Sequence, residues 1–421
     1  MNDAVVMPSL DEFRARCRAW LGSVSDPRLG VVRTRAEWGV GSDVVGTYGS
    51  DDDHALRSSL DRQRQWQKSK LRAGFGAIAW PEDLGGLAYS AAHQTVFDEE
   101  EALFDVEAPG ETLRVSLHFI APTIALKCSG QQRAGLVSDF LTGTRMACFL
   151  LSEPDAGSEL SAVKTSAVRD GDGWRLTGQK VWSSGARFCD FGFALARTVV
   201  DDGGALTAFL VPFHEEGVEI RPLRQITGEA YFNEVFLDSA MVPDELRVGE
   251  VGDGWEVIMT ALAIDRGDAG AGGNDLADLL SRLIAVAQHR GTSTFPSHRQ
   301  ALSRLSIQVR LLGYLGAHLR AQHGPDAGAH GSLLKIAWAN ATSEVGRVAS
   351  LLLGPHLVAD TDEWGTYAWA NQLLGAPGIH IAGGTDEIQR NLIGERVLGL
   401  PREPRSAAAA TATARIREGA L

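Results

Sequence analysis

"TSAVRDGDGWRLTGQKVWSS", residues 165–184, decides how the chain divides. Side chains alternate on both flanks of Asp170-Gly171-Asp172-Gly173, and an Asp-Gly pair between alternating runs is a strong short-range signal for a β-hairpin. Runs of the same texture follow in "LTAFLVPF" (206–213), "GVEIRPL" (217–223) and "NEVFLDSAMVP" (233–243), each short and bounded by Gly or Pro. Such runs fit a pleated, half-buried surface. Residues 146–250 are therefore expected to form a small antiparallel β-domain.

On either side the hydrophobic period lengthens from two residues to that of a helix. Upstream, "LDEFRARCRAWL", "LRSSLDRQRQWQKSKLRAGF" and "QQRAGLVSDFLTG" place apolar residues at helical spacing, broken by "GAIAWPEDLGG", where Pro81 and Gly85-Gly86 force a turn. Residues 1–145 read as an all-α N-terminal domain. Downstream of Trp255, "DLADLLSRLIAVAQHR", "HRQALSRLSIQVRLLGYLGAHLRA" and "SLLKIAWANATSEVGRVASLLL" predict a four-helix-bundle-like C-terminal domain over 251–404. The low-complexity tail, 405–421, reads as disorder or a fraying helix. The fold class is α+β in α-β-α order, an arrangement that leaves clefts at domain borders.

At 421 residues and 44% hydrophobic content the chain can fill two or three cores. A net charge of -13 with scattered arginines excludes a nucleic-acid binder that draws its affinity from a cationic patch. No uninterrupted run of about 18 apolar residues is present, so no membrane span is expected. "MNDAVVMPSLDEFRARCRAW" meets Asp and Glu early, unlike a charged-then-apolar leader, and the expected location is cytoplasmic. Cys17, Cys128, Cys148 and Cys189 stand far apart without a C-x-x-C pair and read as free thiols, with no metal site implied.

Three stretches carry chemistry. "FLLSEPDAGSEL" (149–160) starts as an apolar strand and turns through Pro154, Gly157 and Ser158, exposing hydroxyls and backbone N–H groups that suit an anionic or heteroaromatic ligand. "GQKVWSSGA" (178–186) pairs the plane of Trp182 with the hydroxyls of Ser183 and Ser184. "IHIAGGTDEIQRNLIGERVLGLP" (379–401) brings Gly383-Gly384 ahead of Thr385, a helix N-cap followed by acidic first-turn residues. Taken singly, the first two fit an ordinary strand-ending loop and a core tryptophan better, and the third fits a simple capped helix as well.

Together, and in this order and spacing, the stretches resemble the acyl-CoA dehydrogenase family over nearly the whole chain. "WPEDLGG" (80–86), "SEPDAGSEL", "KTSAVRDGDGWRLTGQKVWSSGA", "LRQITGEAYFNEVFLDSAMVP", "GGTDEIQRN" and "RNLIGERVLGLPRE" carry the resemblance. It implies FAD as cofactor and α,β-desaturation of an acyl-CoA or related thioester: a carboxylate removes the pro-R α-proton and the β-hydrogen leaves as hydride to flavin N5. By motif, Ser152, Trp182 and Ser184 match residues at the isoalloxazine, and Ser158 matches a turn serine near the cofactor or the CoA portion. Thr385, Glu387 and Gln389 match a segment touching FAD, partly across a subunit boundary. Gly383 matches the residue whose N–H polarises the thioester carbonyl and so acidifies the α-proton. The implied partners are electron-transfer flavoprotein and further subunits in a homo- or hetero-oligomer.

Two departures qualify the match. Many members carry their glutamate base just before the Gly-Thr of the last motif, where this chain has Gly383. Others take it from the helix opening the C-terminal domain, in a Glu-Arg pair that aligns with Asp265-Arg266 in "ALAIDRGDAGAGG" (261–273). Asp265 is thus the candidate base, with Arg266 beside it as a substrate contact. Aspartate is one methylene shorter, a retraction of roughly 1.5 Å, and Asp268 at i+3 would oppose its ionisation if near. The familiar Arg-x-x-Phe-Gly stretch is also missing after His289-Arg290. Two rival readings stay open: a catalytically degenerate partner subunit of a heteromeric dehydrogenase, and a flavin oxidase or monooxygenase on the same scaffold.

Overall fold

The computed structural model describes residues 7–27, 45, 53–107, 109–198, 204–268, 273–321, 327–361 and 363–402. The tail reading over 405–421 lies outside the described residues. The first region is helical: α1 (Leu10–Val24), α2 (Asp53–Arg72), α3 (Ala91–Glu101), α4 (Glu111–Arg114), α5 (Ala121–Lys127) and α6 (Gly130–Leu141). Helix α1 begins in a capping box, Ser9 accepting from the Glu12 N–H while the Glu12 carboxylate accepts from Ser9. It buries Phe13 and Cys17 against Phe75, Ile78, Val96 and Phe97.

Among the described residues eight strands then form one sheet: β1 (Ala147–Leu150), β2 (Ser166–Asp170), β3 (Gly173–Lys180), β4 (Phe191–Thr198), β5 (Ala205–Pro212), β6 (Val218–Leu223), β7 (Phe232–Pro243) and β8 (Arg247–Val248). The predicted hairpin is β2–β3, with Asp170 opposite Gly173. The sheet is not purely antiparallel, which corrects the expectation from sequence. β4 runs parallel both to β1 and to β2, and the remaining pairings are antiparallel. The cause is topological: a complete hairpin stands between β1 and β4, so the chain re-enters in its original direction. The connection it needs, residues 181–190, is the one that carries Trp182 and Ser184.

Strand β4 is buried on both faces. Phe191, Phe193 and Leu195 pack against Ile120, Ile124, Val137 and Phe140 of the first region, whereas Ala194 and Ala196 join Trp174, Leu176, Phe209 and Val235 on the opposite side. The final region comprises α7 (Gly254–Asp268), α8 (Gly273–His289), α9 (Pro296–Ala321), α10 (Ala327–Leu353), α11 (Trp369–Ile379) and α12 (Asp386–Leu392). Leu283, Val286, Leu305, Val345, Val348 and Trp369 centre the core of the bundle. Helix α7 belongs to a different core, since Val257, Ile258 and Ala261 share the one under β4. It therefore joins bundle to sheet.

That junction depends on a glycine. A Cβ at Gly254 would lie 2.6 Å from the Thr207 backbone of β5, too close for any real side chain. Gly254→Ala should cost about 1–3 kcal/mol by overpacking. Gly313→Ala in α9, where a Cβ meets nothing within 4 Å, should be neutral or stabilise by up to about 1 kcal/mol. Thermal unfolding of the two variants beside the parent checks both signs.

Candidate active site

Glu153 and Lys180 organise the first half of the site. Lys180 ends β3 in phase with the buried Trp174 and Leu176, and its side chain is fully buried. Its Nζ donates to Glu153 Oε1 at 2.8 Å and to the carbonyl of Leu195 at 2.7 Å. Burial pushes this amine down to about 8, and the Glu153 charge works in the opposite direction. Burial also works to raise the Glu153 carboxyl. The Lys180 charge outweighs it together with hydrogen bonds from Lys180, Thr165 and the Lys164 backbone, so the group is held below the ordinary carboxylate range.

This ion pair fixes two loops at once. The Glu153 carboxylate accepts from the backbone N–H groups of Lys164 (2.6 Å) and Thr165 (2.9 Å), closing the turn that carries Ser158. Glu153 and Ala156 exchange backbone bonds inside that turn. Ser152 is half-buried, Ser158 is exposed, and the Ser152 carbonyl accepts from Val181 N–H at 2.9 Å. The strand end bearing Ser152 and the loop bearing Trp182 are thereby tied together.

Trp182 adopts φ +62° and is 61% exposed. The left-handed region costs a non-glycine residue roughly 1–2 kcal/mol, and an exposed indole gains little burial in return. Strain in an exposed aromatic makes Trp182 a candidate functional position. What holds it is Ser183, the next residue, which exchanges backbone bonds with Asn233 at 3.0 and 3.1 Å while Asn233 Nδ2 adds a third at 2.9 Å. Phe232 meets the indole edge-on, centroids 5.9 Å apart. Behind it, Tyr231 is buried and shares a 2.9 Å hydrogen bond with Thr112 of α4, and burial pushes its phenol well up. Ser184 is half-buried one residue beyond Ser183.

The second half surrounds Gly383-Gly384. Both glycines take positive φ, +65° and +93°, a conformation that side chains rarely adopt. Thr385 caps α12, accepting from Ile388 N–H at 3.3 Å. Gln389 is turned inward, 1% exposed, its Nε2 donating to the carbonyls of Gly383 (2.8 Å) and Gly384 (3.3 Å). Glu387 is exposed and faces Arg390 at 3.5 Å. Among the described residues no hydrogen bond or ring contact joins this half to the Trp182 half. Asp265 and Arg266 stand in the last turn of α7, with side chains outside the described residues.

Sequence reasoning missed Glu153, Lys180 and Tyr231 as supports of these loops. For Lys180 a signal existed: a lysine in phase with buried strand positions demands a buried anion. The other contacts are between distant segments and leave no local pattern.

Family-wide sequence models match twice: the acyl-CoA dehydrogenase middle domain over residues 148–239 and the acyl-CoA dehydrogenase C-terminal domain over residues 252–398. Acyl-CoA dehydrogenase IpdE1 of Mycobacterium tuberculosis is 35% identical over 403 residues, spanning 94% of this chain and 99% of its own length. IpdE1 of Mycolicibacterium smegmatis is 33% identical over 413 residues, with 94% and 99% covered. Among solved structures, the steroid ACAD Tcur3481-Tcur3483 superposes with a TM-score of 0.72 at 24% identity, over 94% of this chain and 99% of that one. The ChsE4-ChsE5 complex from Mycobacterium tuberculosis gives 0.72 at 24%, over 95% and 100%. The chain belongs to the acyl-CoA dehydrogenase family, a family of FAD-dependent oxidoreductases. No helix among the described residues is long and apolar enough to cross a membrane.

Lys180→Met leaves the Glu153 carboxylate buried without its cation and should destabilise the chain by about 3–5 kcal/mol. Adding Glu153→Gln should recover part of that loss, because the orphaned charge is then gone. Denaturant midpoints of the single and double variants test this, and a single variant as stable as the parent would contradict it.

Proposed function

We propose that the chain binds FAD and α,β-desaturates an acyl-CoA thioester. Trp182 is the observation that carries this reading: a strained, exposed indole with Ser152 and Ser184 on the two loops bound beside it. A flat heteroaromatic ring needs such a plane and such hydroxyls, so the residues present fit a flavin. Ser152, Trp182 and Ser184 would hold the ring system. Thr385, Glu387 and Gln389 would serve the cofactor from the second half, Gln389 through the backbone of Gly383 and Gly384. Ser158 and Arg266 would contact the substrate. When bound, FAD supplies the acceptor for the β-hydrogen and its electron pair.

The chain's own groups handle the α-carbon. Gly383 N–H donates to the thioester carbonyl and stabilises the enolate charge that develops there, which lowers the α-proton's pKa. Asp265 accepts that proton from its place on α7, and breaking the α C–H bond leaves the electron pair for the new double bond. An electron-transfer flavoprotein would be the electron acceptor, and the chain would work within an oligomer.

Gly383 also favours a second reading. With no acid at that position and no Arg-x-x-Phe-Gly stretch, the chain would complete the site of a different subunit, as in two-chain assemblies such as those named for the similar folds. Purified protein that is colourless alone and yellow only when paired would select that reading.

Under the first reading, Asp265→Asn keeps the yellow colour and abolishes anaerobic flavin bleaching by acyl-CoA, while Asp265→Glu retains or raises it. Stopped-flow absorbance across an acyl-CoA panel checks this, and bleaching unchanged in the Asn variant removes Asp265 from the mechanism.

A further inference from the structure

His380, Asp386 and Lys335 close a neck beneath the Gly383-Gly384 turn. The residues flanking the loop 381–385 meet twice: Asp386 N–H donates to the His380 carbonyl at 3.0 Å, and His380 Nδ1 lies 2.8 Å from Asp386 Oδ2. Lys335, reaching in from α10, bridges both, its Nζ donating to the His380 carbonyl at 3.2 Å and to Asp386 Oδ1 at 3.1 Å. Ser343, about two turns further along α10, steadies the imidazole from behind with a 2.8 Å bond to Nε2. Arg390 lies 3.7 Å from Asp386 Oδ2. Lys335 and Asp386 are both buried. Burial works against ionisation of the Asp386 carboxyl, but the His380 and Lys335 hydrogen bonds and charges hold it below its ordinary range.

Above the neck, Gln389 binds the two glycine carbonyls. A trans peptide plane points its N–H opposite its C=O, so the same bonds fix where the Gly384 and Thr385 N–H groups point. The N–H groups of Gly383, Gly384 and Thr385 have no acceptor among the described residues. Adjacent glycines at positive φ have wide conformational freedom, and a loop containing them holds one shape only if its ends are fixed.

We infer that His380, Asp386 and Lys335 are positioning residues for the turn that polarises the thioester: by locking the neck of the loop they set where Gly383 N–H meets the substrate carbonyl. The inference deepens the proposed desaturation and rests on it. A misplacement of about 1 Å can cost on the order of a hundredfold in rate. Because this bond strengthens as enolate charge develops, loosening the neck lowers the rate of flavin reduction more than it lowers substrate affinity.

The test compares full-length wild type with His380→Ala and His380→Asn. The Asn amide nitrogen falls near the place of Nδ1 and keeps the bond to Asp386, whereas Ala removes it. Hydrogen exchange over residues 380–388 needs no substrate: the Ala variant should exchange about tenfold faster there, with other segments and the Asn variant near wild type. Flavin reduction by saturating acyl-CoA should slow about tenfold or more in the Ala variant, with the half-saturating concentration within about threefold, and recover in the Asn variant. Unchanged exchange in the Ala variant overturns the neck. Faster exchange at an unaltered reduction rate, or equal losses in both variants, overturns the positioning role. If no acyl-CoA bleaches the wild type, the desaturation reading fails and takes the thioester role with it, while the exchange data separately decide whether the neck holds the loop.

Discussion

One buried ion pair, Lys180–Glu153, holds the Trp182-bearing half of the candidate site in shape. A lone ammonium at the fully buried Lys180 position would be too costly to keep charged, and a lone carboxylate beside it equally so. Each makes the other tolerable. Because Glu153 sits in a turn and Lys180 at a strand end, satisfying the charges also locks two loops that are far apart in sequence. Ser152 and the strained Trp182 lie one and two residues from those anchors. The exposed aromatic plane thus rests on electrostatics buried beneath it together with the Ser183–Asn233 bonds beside it.

The Gly383-Gly384 half follows the same rule with different groups. There the exposed element is a pair of glycines in left-handed conformation, and the buried element is Asp386 between Lys335 and His380. In both halves the groups assigned to ligands make few bonds of their own, and the rigidity comes from fully paired charges one layer down. Such an arrangement leaves N–H groups, hydroxyls and an indole free for a ligand without leaving the backbone free to wander.

The layering of helix, sheet and helix was legible because period two and period 3.6 are local properties of the chain. The hairpin at Asp170–Gly173 announced itself in four residues. The parallel pairing of β4 with β1 and β2 did not, since pairing direction depends on what the chain does across the intervening forty residues or so. The motif residues around Trp182 and Gly383 could be picked out, yet their roles divided in a way that type and spacing do not fully reveal. Thr385 caps its helix as its type and place suggest, whereas Gln389 faces inward onto backbone carbonyls. His380 and Asp386 are six apart and Lys335 comes from another helix, so the neck they build exists only in three dimensions.

The central claim is that this site takes one hydrogen from each of two adjacent carbons of an acyl thioester. Anaerobic single turnover of acyl-CoAs fully deuterated at the α- and β-carbons, with linear, branched and ring-bearing chains, followed by mass analysis of the recovered thioester, tests it most directly. The account predicts an intact thioester that has lost one α- and one β-deuterium in proportion to flavin reduced. Recovery of every thioester with its full deuterium content from flavin-loaded protein, or of a hydrolysed or oxygenated product instead, would contradict it.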